Sequence, residues 1–184
     1  MTLYGLANYL HVLGAIGLGA VIALEWLVVL RLRSTDTVEQ ARAWLSFTAV
    51  QQWAGPVSLG ALLIAGLYMA ATRWGGQGWI IVAFIALLLI AGFGALNGVP
   101  LRAVGTALAE QSGRLSPRVQ RQLSNPLFIL SLHARACIIL GVVWLMVDKP
   151  DVTASAVILS AAVLLGSVSA LPAYRQARPA AGAT

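Results

Sequence analysis

Charged residues are absent from positions 1–24, 43–72, 74–101 and 152–174, and residues 122–147 hold only Arg135. Each run is long enough to cross about 30 Å of hydrocarbon, which takes roughly 20 helical residues. The pattern predicts five transmembrane helices at about 3–30, 50–72, 78–99, 126–147 and 153–172. The fold expected is all-α, a polytopic membrane bundle forming a single transmembrane domain over 1–174. Four helices should form its core, with the fifth peripheral, because that last span has no ionisable residue and suits a lipid-facing or partner-facing position. The Ala/Pro/Gly-rich tail, 175–184, should be disordered.

Polar punctuation refines the picture. Asp36-x-x-Glu39 resembles a capping box opening a helix through Val38, Ala41 and Leu45 that runs into the second span. Ser116-Pro117 offers an N-cap with proline at the first helical position, and Asn125-Pro126 stops the turn. Val119 and Leu123 share a face of that short piece, which predicts that it lies along the inner interface. Pro56 should kink the second span. The six tryptophans, Trp26, Trp44, Trp53, Trp74, Trp79 and Trp144, fall near span ends, as an aromatic belt requires.

Composition excludes a soluble globular domain: 59% of residues are hydrophobic and only 10% charged, with a mean hydropathy of +0.84. The net charge of +6 would suggest nucleic acid in a soluble protein. Here nine of the twelve basic residues follow the first, third and fifth spans, and two lie on the other side. The positive-inside rule therefore predicts the N-terminus outside and the C-terminus inside, in the bacterial cytoplasmic (inner) membrane. The expected partners are the lipid bilayer, with anionic headgroups at the inner face, and no nucleic acid. The first Lys or Arg is Arg31, so no positive n-region and no signal peptide are expected. Cys137 is the single cysteine, which excludes an intramolecular disulfide or a thiolate cluster.

Within the spans the ionisable groups are His11, Glu25, His133 and Arg135. A charge in hydrocarbon costs from about 2.5 kcal/mol upwards, so such groups face protein or water. His11 and Glu25 are fourteen residues apart, on one helix face but about 21 Å apart along the axis. This stripe lines an ion, proton or cofactor path, or else serves packing: His11 bonds a neighbouring helix and Glu25 reaches headgroups or an arginine. Arg135 stands well inside the fourth span, and we expect it to pair with Glu25. The pair is either a buried structural ion pair or a site for an anion or substrate carboxylate. His11 and His133 are candidate cofactor-binding residues for haem b, and His11 a candidate metal ligand for copper. Their predicted depths differ by on the order of 10 Å, large for two ligands of one haem.

Small residues at Gly94/Gly98, Ala15/Gly19 and Gly166/Ala170 suit close helix packing, with a homo-oligomer or membrane partner as a further use. Asn97, near the inner end of the third span, should cap or bridge helices. No phosphate-binding glycine loop, nucleophile elbow or paired catalytic carboxylates occur, so an enzyme is not the leading expectation.

Residues 9–15 (YLHVLGA), Gly66-Leu67-Tyr68-Met69 and residues 144–150 (WLMVDKP) resemble small bacterial integral membrane proteins of unknown function. These are in turn similar to CopD-type copper-resistance and cytochrome b-like membrane bundles. The resemblance spans roughly residues 4–150 and implies a haem or copper ligand at His11, but no established activity. Three functions are therefore expected of such a chain. The first is transport or permeation of a small solute or ion, or an accessory-subunit role, with Glu25 and Arg135 lining the path. The alternative is a membrane redox protein holding haem b or copper through His11 and His133. The third is an assembly partner whose polar residues only fix helix register.

Overall fold

The computed structural model describes residues 2–123 and 125–176. Among these all regular structure is helical, with short loops and one isolated bridge between Thr37 and Arg114. The helices are α1 (Leu3–Arg33), α2 (Val38–Ser46), α3 (Thr48–Met69), α4 (Gly78–Ala109), α5 (Pro117–Leu123), α6 (Pro126–Asp148) and α7 (Val152–Gln176). A π-helical turn, Ala70–Trp74, ends α3. Five helical stretches are long and apolar enough to cross a membrane: α1, α2 running into α3, α4, α5 running into α6, and α7.

The differences from the sequence expectation have local causes. The third span does not end at 99 but passes through Pro100 to Ala109. Proline removes one helical hydrogen bond, whereas Val104 and Leu108, one turn apart, are fully buried against α1, α2 and α5. That burial holds the added turns. Thr37, not Asp36, caps α2, its hydroxyl accepting from Gln40 N at 3.4 Å. The Asp36 carbonyl is instead bonded by Leu115 N at 3.0 Å, and Val38 N donates to Gly113 O at 2.9 Å. The two loops at the arginine-rich end are thus tied together. Ser116 Oγ makes no capping bond and is buried without a partner. Asn125 caps α6 through Leu127 N at 3.0 Å. The apolar face of α5 is turned into protein, with Val119 and Leu123 buried beside Val28, Leu32 and Val38. Trp79, at the start of α4, is buried in protein and meets Trp74 edge-on at 5.7 Å. Helix α7 continues through residues 175–176, expected in the tail, and 177–184 lie outside the described residues.

Helix α1 is antiparallel to α3, and glycine sets their distance. A Cβ at Gly14 would lie 2.9 Å from Leu62 N and Ser58 O. On the other side, a Cβ at Gly166 would lie 2.6 Å from Ala134 Cα, so α7 rests on the α6 backbone. These contacts change the expected roles of the helices. In its most apolar stretch α3 is 17% buried and α7 22%, so α3 is at least as peripheral as the last helix. Helices α3 and α4 flank a cleft of about 850 Å³ instead of closing on each other.

Candidate functional site

The cleft is floored by α1 and α6, and its deepest polar groups are Glu25 and Arg135. Glu25 is 7% exposed and Arg135 5%, so neither charge is solvated by bulk water. Arg135 Nη1 donates to Glu25 Oε2 at 2.5 Å. Asn97 Nδ2 on α4 donates to the other carboxylate oxygen, Oε1, at 2.9 Å. The Asn97 carbonyl oxygen in turn accepts from Ser131 Oγ on α6, which also lies 3.0 Å from the Phe128 carbonyl. Three helices therefore meet in one buried polar layer. A buried charge that lacks a partner is costly, and the mutual attraction of this pair offsets that cost in a low dielectric.

Local sequence explains the layer. Ser131 and Arg135 are four residues apart and share the α6 face that turns inward. Gly94 on α4 supplies the room, because a Cβ there would lie 3.3 Å from Arg135 Cζ and Nη2. Gln51 on α3 belongs at the same level. Gly14 abuts Leu62, and a Cβ at Gly55 would meet Val21, so the antiparallel register carries Glu25 opposite Gln51. Gln51 Nε2 and Arg135 Nε are both buried without a hydrogen-bond partner.

From this layer the cleft runs two ways. Leu18, Leu59 and Ile90 line an apolar portion. Towards the arginine-rich end the lining becomes polar, with Gln52, Ser46, Arg42 and Arg102. Arg42 also caps α4 from outside: Nε lies 3.1 Å from Leu108 O, and Nη2 lies 2.6 Å from that carbonyl and 2.8 Å from Gln111 O. The opposite end of the bundle is tied by aromatics. Trp74 Nε1 donates to Tyr4 Oη at 3.1 Å, and Lys149 and Arg73 sit over the Trp74 and Tyr4 rings.

The two histidines are not brought together. His11 Nδ1 lies 3.1 Å from the Leu62 carbonyl on α3. A carbonyl only accepts, so Nδ1 carries the proton. His133 Nδ1 lies 3.0 Å from Ser169 Oγ on α7, and its ring meets Trp26 edge-on at 5.6 Å. One imidazole is thus applied to α3 and the other to α7. Such an arrangement does not fit a haem held between two facing histidines. Among the described residues, no group of three or more His, Cys, Asp or Glu side chains is placed to hold a metal ion.

Asn97 bridges helices, as its position suggested, but its partner was not evident from the sequence. Ser131 and Gln51 were not singled out at all. The available signal for Ser131 was its spacing of four from Arg135. Gln51 and Gln52 are the two side-chain amides of the predicted second span.

Comparison with known proteins finds no matching family model, no matching curated protein and no matching solved structure.

Proposed function

We propose that the protein is a multi-pass protein of the bacterial cytoplasmic membrane, N-terminus outside, that carries a small solute or ion through the α3–α4 cleft. The observation that carries this reading is the cleft itself, which reaches a buried ion pair instead of stopping at a sealed core. A protein whose polar residues only fixed helix register would have little use for about 850 Å³ beside them. Cavities of this size are the usual scale of small-molecule sites. The orientation rests on the charge bias of the loops. The N-terminal end of the path is where the bundle is tied by the Tyr4, Trp74 and Trp79 cluster, so opening there would accompany passage.

Thiol accessibility tests the reading. In a Cys137→Ser background, Gly98→Cys and Gln52→Cys line the cleft, whereas Leu164→Cys lies on the exposed apolar face of α7. A membrane-impermeant charged thiol reagent applied to inverted vesicles should label the first two and leave the third unreacted. Equal unreactivity of Gly98→Cys and Leu164→Cys would overturn it.

A further inference from the structure

The donors left unsatisfied in the cleft indicate what it accepts. Arg135 Nε and Gln51 Nε2 are buried, carry N–H groups and have no acceptor. Both belong to residues lining the cleft, at the level of Glu25. Buried donors are ordinarily paired, and one left open calls for an acceptor that arrives from outside. The lining is also unbalanced in charge: Arg42, Arg102 and Arg135 face it, against the single carboxylate of Glu25.

We propose that this layer binds a monocarboxylate with an apolar body, which competes with Glu25 for the Arg135 guanidinium. This assignment rests on the transport reading and names its substrate class. Glu25 reaches Arg135 through Nη1 alone, which leaves the remainder of the guanidinium for a planar, two-oxygen ligand. Gly94 gives the guanidinium room to lie against α4. Gly98, one turn further along α4, meets nothing within 4 Å of where a Cβ would stand, so an approach runs from Arg102 past Gly98 to Arg135. Arg102 at the open end attracts the anion. Leu18, Leu59 and Ile90 then bury its apolar body.

Calorimetric titration of the detergent-purified full chain with benzoate tests the proposal, with benzamide as the uncharged analogue and inorganic phosphate as a second anion. Benzoate should bind one to one, and benzamide should not. Glu25→Gln removes the competitor and should tighten benzoate ~10-fold or more, whereas Arg135→Gln should weaken it by a similar factor. Gly98→Leu starts from a Cβ position with nothing within 4 Å and extends into the cleft, so it should keep the thermal midpoint and still weaken benzoate ~10-fold. Its midpoint separates lost binding from lost folding if Arg135→Gln does not fold. No benzoate binding, equal benzamide binding, preference for phosphate, or an unaffected Gly98→Leu variant would each overturn the assignment. Cleft cysteines that label while benzoate fails to bind would sink the substrate class and leave the transport reading standing.

Discussion

A Cβ at position 94 would stand 3.3 Å from both Cζ and Nη2 of Arg135. The guanidinium therefore packs directly against the position that a side chain at Gly94 would take. Four residues on, Gly98 has open space in the same direction. Two glycines of one helical stripe thus do different things, one seating a charge and the other keeping a cleft clear.

That difference is measurable. Gly94→Leu should push the Arg135 guanidinium from its seat beside Glu25, and such overpacking costs about 1–3 kcal/mol. Gly98→Leu should be neutral or slightly stabilising, since glycine inside a helix is worth about 1 kcal/mol less than a good helix former. Thermal unfolding of the two variants in the same detergent should separate them by several degrees. Equal midpoints would show that Gly94 does not set the guanidinium's place.

The Glu25–Arg135 pair should behave as a unit. Removing one partner leaves a buried charge, which costs about 3–5 kcal/mol, while removing both leaves none. Glu25→Gln and Arg135→Gln should each be strongly destabilising, and the double variant less so than the sum. A double-mutant cycle on unfolding free energies measures the coupling. Additive losses would mean that the two groups do not depend on each other.

The five membrane-length stretches and the ionisable residues among them were legible because apolar run length is a property of the chain alone. Arg135 and Glu25 stood out as partners because each would be costly in hydrocarbon without one. What was not legible depends on which faces meet. Helix α4 passes Pro100 because Val104 and Leu108 are buried by α1, α2 and α5, and a proline signal read locally cannot include that. Likewise Gly14 and Gly166 set the tight crossings, whereas on α1 spacing alone pointed to Ala15 and Gly19 instead. Gln51 gained its position only through the α1–α3 register.

Arg42 is a latch between α2 and the end of α4. Its guanidinium reaches the carbonyls of Leu108, Ala109 and Gln111, groups that a helix C-terminus leaves unpaired. Arg42→Ala should cost about 1–3 kcal/mol locally and loosen residues 109–115. Hydrogen exchange followed by mass spectrometry should show faster exchange at Gln111 and Leu115, whose amides bond Leu108 O and Asp36 O, with α6 unchanged. Unchanged protection at those two amides would show that the tied loops, and not Arg42, hold the end of α4.

Asn97 holds the free oxygen of Glu25, and two substitutions separate its donor from its shape. Asn97→Leu removes the donor to Oε1 at a site that is 1% exposed, leaving a buried acceptor unsatisfied at about 1–3 kcal/mol. Ser131 would retain the Phe128 carbonyl, so the loss falls on Glu25. Asn97→Asp keeps the shape but sets a second carboxylate against the first, and like charges sharing one site do not both ionise readily. If Asn97 serves as a hydrogen-bond donor, Asn97→Asp should be the less stable variant at neutral pH and should recover towards the parent as pH falls and one carboxyl protonates. Thermal midpoints across the acid range decide this, because Asn97→Leu introduces no titrating group at that position. Parallel pH profiles for the two variants would mean that position 97 contributes bulk alone.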